Sequence, residues 1–217
     1  MTGDWRRNRL SAARLYLCTP LRPDLATFLD AVLRGGVDIV QLRDKSAARA
    51  DQLAAAPLIR RATRDHGALF IVNDDPALAV QTDADGVHVG QDDVSPDVAR
   101  RVVGPDLLVG RSTHTVAEVD AAQDEDCDYF AVGPVSATPT KQGRPGIGLA
   151  PLRHAAEVAT RPWFVTGGMA AGTVASVLAA GASRVVVVRA LTQASDPLQA
   201  ARAITAALGD ARPGEAS

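Results

Sequence analysis

The sequence predicts an α/β protein built as a single (β/α)8 TIM barrel, on three observations. Short β-branched runs alternate with Ala- and Leu-rich segments of helical period along the chain. Eight such runs can be found, and the alternation itself argues for a parallel sheet covered by helices. The units recur at roughly twenty to thirty residues, which suits a barrel on the small side of the usual range. A doubly wound open sheet is the alternative. No G-x-G-x-x-G follows the first run, which counts against its dinucleotide-binding version.

The strand candidates, in order, are Leu15–Thr19, Asp38–Arg43, Leu69–Asn73, Gly86–Gly90, Leu107–Ser112, Tyr129–Gly133, Trp163–Gly167 and Arg184–Arg189. After the first, Leu25, Phe28, Leu29, Val32 and Leu33 follow the i, i+3, i+4 pattern, and Gly35-Gly36 supplies a stop. A long helical segment runs from Ala47 to His66, with a kink or break expected at Pro57. Later helices are expected to start near Ser95, Thr115, Leu149, Ala171 and Asp196, and Asp75 is read as a cap ahead of Pro76. The barrel should span 15–208, with 1–14 as an N-terminal tail and 209–217 as a flexible C-terminal tail.

A chain of 217 residues favours one large domain, and an apolar content of 47% is enough for a full core. Aromatics are only 4%, so that core is expected to be Ala, Val and Leu. A net charge of −2 gives no support to nucleic-acid binding. Cys18 and Cys127 share no metal-type spacing and read as buried small hydrophobes. No disulfide framework and no purely aliphatic run longer than Val185–Val188 point to a cytoplasmic protein without a membrane partner. The first fourteen residues carry arginines but no apolar stretch, so they do not read as a secretory signal. A homo-oligomer is left open.

In such a barrel the site lies at the C-terminal ends of the strands. The second strand closes in Gln41, Leu42, Arg43, Asp44 and Lys45; the third in Asn73, Asp74 and Asp75; the fourth in Gln91, Asp92 and Asp93; the fifth in Ser112 and His114. The seventh ends in Gly167-Gly168 and the eighth in Val188-Arg189. The opposite ends of the strands carry far less chemistry. Any one of these residues is ordinary at a loop start; their convergence on one mouth is not. Asp74 and Asp93, on neighbouring strands, could share Mg2+, which takes one or two carboxylates and leaves its other positions to water and phosphates. The competing reading is helix capping by Asp and Asn. Arg43, Lys45 and Lys141 would meet phosphate charge. The Gly-Gly turn before a helix suits a second phosphate. His88 and His114 are read blandly, as barrel filling and a helix start.

One connection stands apart. The stretch VGPVSATPTKQGRPGIGL, 132–149, holds two threonines, a lysine, an arginine, four glycines and three prolines, with no regular period. Loops of this length are uncommon and usually functional or disordered.

Taken together, QLRDK, NDD, GVHVGQDD, GRSTH, GPVSATPTK and the Gly-Gly turn resemble the thiamine phosphate synthase family, in order and at about the expected spacing, from Leu15 to about Leu208. The resemblance implies a transferase that joins an aminopyrimidine methyl diphosphate to a thiazole ethyl phosphate, giving thiamine phosphate and pyrophosphate by a dissociative, Mg2+-assisted displacement. It implies that Gln41, Leu42, Arg43, Asp44, Lys45, Asn73, Ser112 and Lys141 contact the pyrimidine diphosphate. Arg43, Lys45 and Lys141 would act in catalysis. Thr138, Pro139, Thr140, Gly168, Val188 and Arg189 would surround the thiazole phosphate, Asp74 and Asp93 would hold Mg2+, and the long loop would close as a lid. Four positions depart from the familiar pattern: Asp44 for glutamate, Ala137 for proline, VTGG for Gly-Ile-Gly-Gly, and Arg189 for serine. A relative that tautomerises a thiazole would not need the diphosphate cations. A non-catalytic phosphate sensor would release no pyrophosphate, and a phosphosugar isomerase would want a positioned base.

Overall fold

The computed structural model describes residues 1–137 and 146–209. Eight strands pair in sequence order and close on themselves: β1 (Leu15–Thr19), β2 (Ile39–Leu42), β3 (Leu69–Asn73), β4 (Gly86–Val89), β5 (Leu108–Thr113), β6 (Tyr129–Val132), β7 (Trp163–Val165) and β8 (Val185–Val187). Every pair is parallel, and β8 returns to β1 through Leu15↔Val185. The predicted barrel is the observed one.

The helices are α1 (Gly3–Ala12), α2 (Leu25–Arg34), α3 (Arg49–Asp65), α4 (Pro76–Gln81), α5 (Pro96–Val103), α6 (Val116–Asp124), α7 (Ala150–Val158), α8 (Ala171–Leu178), α9 (Arg189–Thr192) and α10 (Pro197–Leu208). Their starts follow cap chemistry. Asp75, Ser95, Thr115 and Asp196 each accept a backbone N–H from three residues on, and Pro76, Pro96 and Pro197 occupy the first helical turn. Pro57 does not break α3, which runs through it as one helix. Its ring lies on the exposed face, where the Leu53 carbonyl that loses a donor can turn to water.

Alternation along each strand divides the core in two. Leu17, Val40, Leu42, Phe70, Val72, Phe130, Val132 and Val165 point outward into the layer shared with the helices. Tyr16, Cys18, Ile39, Leu69, Ile71, Leu108, Tyr129, Phe164 and Val186 fill the barrel. Three of these nine interior residues, Tyr16, Tyr129 and Phe164, are aromatic.

The N-terminal end of the barrel is closed by charge. The aspartate that leads each of β2, β4 and β6 turns back to accept a backbone N–H of the strand before it. Asp38 Oδ2 takes Leu15 N at 3.0 Å, Asp85 Oδ2 takes Phe70 N at 3.0 Å, and Asp128 Oδ2 takes Val109 N at 2.8 Å. Asp85 is fully buried, with Arg6 Nε 3.0 Å from one oxygen and Arg60 Nη1 2.6 Å from the other.

This corrects two expectations. The segment expected as a tail is helix α1, anchored by Arg6 and by Arg184, whose guanidinium donates to the Ser11 and Ala13 carbonyls at its C-terminal end. The helix docks through Arg6 and through the isolated apolar contacts of Leu10 and Trp5 rather than a continuous apolar stripe, so hydrophobic period could not reveal it. The end read as chemically poor carries a buried ion cluster. Of the expected C-terminal tail, only Gly209 lies within the described residues.

Candidate active site

The opposite end opens into a cavity of about 790 Å3. Its walls include Gln41, Arg43, Lys45, Asn73, Asp74, Asp93, Ser112, Gly168, Val188 and Arg189. Ten of the predicted site residues are thus gathered on one mouth, from six different strands and the segments that follow them.

Asp74 sits where β3 ends, in the left-handed conformation at φ 62°, a region that Asn and Asp tolerate better than most residues. The hydrogen bond from Asp74 N to His88 O, 2.8 Å, ties this turn to β4. Burial raises the Asp74 carboxyl pKa; the Lys45 ammonium, 2.8 Å away, opposes that, and the Asp93 carboxylate adds to it. Two carboxylates within reach of each other, Asp74 half-buried and Asp93 exposed, are a hard-cation donor set, and this meets the requirement of Mg2+ for one or two carboxylates. Among the described residues there is no cluster of three or more candidate ligands, so the remaining positions would fall to water and substrate oxygens.

The loop that carries Asp93 is held from below. Asp93 Oδ2 accepts from Gly90 N at 2.8 Å. Arg111, buried on the outer side of β5, donates to Gly90 O at 2.6 Å and to Gln91 Oε1 at 3.0 Å, with Glu125 3.2 Å from its Nε. Gln91 in turn donates to Ser112 O at 2.7 Å. Arg111 was not singled out in the sequence, because nothing local distinguishes it from a surface arginine.

Two residues of the predicted set point elsewhere. Leu42 packs outward and is 1% exposed, which leaves only its backbone to face a ligand. Asp44 is occupied by the chain itself: Oδ1 accepts from Ser46 N, Ser46 Oγ and Ala47 N, and Oδ2 from Leu21 N. Burial alone would raise its pKa, but these hydrogen bonds outweigh it and hold the carboxyl below the usual range. Asp44 braces the turn that presents Arg43 and Lys45.

Gly167 and Gly168 have φ of 102° and 77°. A Cβ at Gly167 would lie 2.5 Å from Pro134 Cα, so glycine is also required for close packing there. The turn leads into α8, and Arg189, which follows the neighbouring strand β8, lines the same cavity. Of the long connection, the ends are described. Ile147 N donates to Pro134 O at 2.8 Å and Gly148 N to Val135 O at 3.2 Å, so the two ends are clasped together beside β7. Thr138, Pro139, Thr140 and Lys141 lie outside the described residues.

His114 behaves as a helix start: Glu118 Oε2 takes its backbone N–H at 2.7 Å and lies 2.9 Å from its Nδ1. Tyr16, Cys18 and His88 also line the cavity, although none was read as a site residue. The signal was present in the strand period, since all three share the inward face with Gln41 and Ser112.

The model of the thiamine monophosphate synthase family matches residues 15–191. The chain belongs to the thiamine monophosphate synthase family. As a member of that family it is a transferase of thiamine biosynthesis. It is 51% identical over 214 residues to a thiamine-phosphate synthase of Saccharopolyspora erythraea, covering 94% of this chain and 96% of that one. It is 53% identical over 201 residues to one of Thermobifida fusca, covering 90% and 92%. Among solved structures, the thiamine phosphate pyrophosphorylase of Pyrococcus furiosus superposes with a TM-score of 0.82 at 29% identity, over 93% of this chain and 96% of that one. A 3-hexulose-6-phosphate synthase shares the fold alone, with a TM-score of 0.66 at 22% identity over 89% and 99%. Among the described residues, no helix is long and apolar enough to cross a membrane.

Proposed function

We propose that the chain, through a catalytic unit spanning 15–208, condenses 4-amino-2-methyl-5-(diphosphooxymethyl)pyrimidine with 4-methyl-5-(2-phosphooxyethyl)thiazole to give thiamine phosphate and pyrophosphate. One observation carries this reading: a single cavity brings the Arg43–Lys45 cations and the Asp74–Asp93 carboxylates to one side and the Gly167-Gly168 turn with Arg189 to the other. That is room and charge for a diphosphate and a separate phosphate.

In this reading Gln41, Asn73 and Ser112 orient the pyrimidine, and Arg43 and Lys45 grip its diphosphate. Lys141 is assigned to the same diphosphate from its place in the sequence, with Thr138, Pro139 and Thr140 on the thiazole side. Asp74 and Asp93 would hold Mg2+, which when bound supplies charge neutralisation to the diphosphate. The C–O bond breaks with its electron pair leaving on pyrophosphate. The positive methylene left behind is delocalised by the ring and its amino group. The thiazole nitrogen lone pair then forms the C–N bond. No nucleophilic side chain is needed, so the work of the protein is positioning and electrostatic stabilisation of the leaving group. Gly168, Val188 and Arg189 hold the thiazole phosphate so that its ring nitrogen faces the methylene, and the walls keep water from the cation. Such polar, phosphorylated substrates suit a cytoplasmic location.

The test mixes both purified substrates with the protein and Mg2+ and follows thiamine phosphate by mass spectrometry alongside pyrophosphate release. Equal amounts of both are expected. Ligand binding without either product would leave a sensor and end the enzymatic reading.

A further inference from the structure

Beneath the cavity, side chains from five strands form a continuous hydrogen-bonded chain through the barrel interior. Gln41 Nε2 donates to Tyr16 OH at 2.6 Å. Tyr16 OH lies 3.0 Å from Tyr129 OH. Tyr129 OH lies 3.3 Å from His88 Nδ1, and His88 Nε2 lies 2.9 Å from Ser112 Oγ. At the Gln41 end, Cys18 Sγ donates to Oε1 at 3.4 Å.

Register and a glycine make this chain geometrically possible. Gly110 of β5 lies between His88 of β4 and Tyr129 of β6 in the strand pairing. A Cβ there would stand 2.2 Å from Tyr129 Cζ and 2.5 Å from His88 Nδ1. The missing side chain lets the two rings meet over the strand, with centroids 5.5 Å apart. Phe164 packs edge-on against both tyrosines and fixes their planes.

Each phenol has one hydrogen to give, so the direction of the chain follows from its first link. The Gln41 amide, with its oxygen facing the Cys18 thiol, gives its N–H to Tyr16. The Tyr16 hydrogen then goes to Tyr129, and the Tyr129 hydrogen to His88 Nδ1. With Nδ1 accepting, neutral His88 carries its proton on Nε2 and gives it to Ser112. Ser112 receives at its oxygen and keeps its own hydrogen for the cavity. Burial pushes both phenols well above their ordinary pKa, so they stay protonated donors.

We propose that Tyr16, Tyr129 and His88 are positioning residues that set the polarity of the pyrimidine-reading wall, so that Ser112 and Gln41 both face the substrate as hydrogen-bond donors to ring acceptors. The substrate part of this inference rests on the function proposed above. The tautomer of His88 does not. The wall therefore selects a heteroaromatic ring that presents acceptor nitrogens. An oxo analogue that presents ring N–H groups at the same places is disfavoured.

The experiment uses Tyr129→Phe, which keeps the ring packing and removes the hydroxyl, with Gly110→Ala as a second variant that wedges the rings apart. The His88 tautomer is read by 15N NMR of the imidazole in the substrate-free protein, and kcat/KM is measured for each substrate. The wild type is expected to show the Nε2–H form, and Tyr129→Phe a gain of the Nδ1–H form. The variant should lose about tenfold in kcat/KM for the pyrimidine diphosphate, the net worth of one hydrogen bond, and keep its KM for the thiazole phosphate. An Nδ1–H tautomer in the wild type overturns the proposal. So does an unchanged kcat/KM for the pyrimidine diphosphate in an active Tyr129→Phe protein. A folded protein with the expected tautomers that makes no thiamine phosphate overturns instead the functional reading.

Discussion

Lys45 Nζ lies 2.8 Å from Asp74 Oδ2 at the cavity mouth, so the cation proposed for the diphosphate rests on a carboxylate proposed for the metal. In the proposed reading, binding a diphosphate with a divalent cation would exchange this partnership for two others, with Lys45 moving to phosphate and Asp74 to metal. The Lys45 side chain is 62% exposed, so the resting pair is weak and the exchange is cheap.

Asp74 carries a raised carboxyl pKa, with burial as the main cause and Asp93 adding to it. The folded state therefore holds the Asp74 proton more tightly than the unfolded chain does. The stability from this group is fully present below the unfolded value near 3.9 and is lost as pH rises through the folded pKa. Asp74→Asn, which suits φ 62°, should melt at a higher temperature than the wild type at pH 7 without metal. The gap should close as pH falls below about 4. Calorimetry across pH checks this; a constant gap would mean that the left-handed turn, and not charge, is responsible.

Asp44 should behave in the opposite sense. Its depressed pKa reflects hydrogen bonds from Ser46, Ala47 and Leu21 that outweigh its burial. The stability they give is present above the unfolded value near 3.9 and vanishes as pH falls through the folded one. Asp44→Asn should lower the melting temperature at pH 7, converge with the wild type in acid, and raise KM for the pyrimidine diphosphate only through a looser Arg43–Lys45 turn. A loss confined to kcat would return Asp44 to the reacting groups.

Asp93→Ala should lower kcat by about a hundredfold or more, on the scale of removing one preorganised electrostatic contact. It should also shift the Mg2+ dependence to higher concentration. The fold should persist, since Asp93 contributes a single hydrogen bond to Gly90 N. Titration of activity against Mg2+ decides, and an unaltered curve removes Asp93 from the metal.

For Lys141 the expectation rests on the sequence. A cation about 4 Å from a phosphate oxygen is worth roughly 4 kcal/mol at an effective dielectric near 20, before desolvation. Lys141→Ala should lower the single-turnover rate by orders of magnitude, leave thiazole phosphate affinity nearly unchanged, and be only partly rescued by arginine. A near-normal chemical step in Lys141→Ala would make the connection passive.

At the far end, Asp85→Ala strands Arg6 and Arg60 in a buried place and removes an acceptor from Phe70 N. A loss of about 3–5 kcal/mol of unfolding free energy is expected. The kcat/KM of the remaining folded protein should stay near that of the wild type, because Asp85 lies at the opposite end of the strands from the cavity. Urea melts and activity at low temperature test the two halves.

The barrel was legible because its strands are short, continuous apolar runs, as expected of a sheet covered on both faces, its helices carry a 3.6-residue period, and its caps are Asp75, Ser95, Thr115 and Asp196. The site was legible at residues that follow strands, such as Lys45, Asp74 and Asp93, since polar groups ending apolar runs stand out. Helix α1 was not, because Arg6 docks it by pairing with a residue 79 positions away. Arg111, Tyr16 and His88 were hidden for a related reason. Tyr16 and His88 look like ordinary strand residues until register sets Gly110 between His88 and Tyr129, and Arg111 looks like a surface arginine until the fold brings it to Gly90 and Gln91. Asp44 misled because its neighbours Arg43 and Lys45 do face the cavity, and a carboxylate between two cations reads as part of the same group.

The aspartates leading β2, β4 and β6 hold the strands from the end opposite the cavity, with Asp85 tied besides to α1 and α3. A mutation at the mouth and one at this base share no partner, so their free-energy effects should add. An enzyme built this way can be re-evolved at its loops in many steps, because losses at the mouth can be offset by stabilising changes at the base without either altering what the other does.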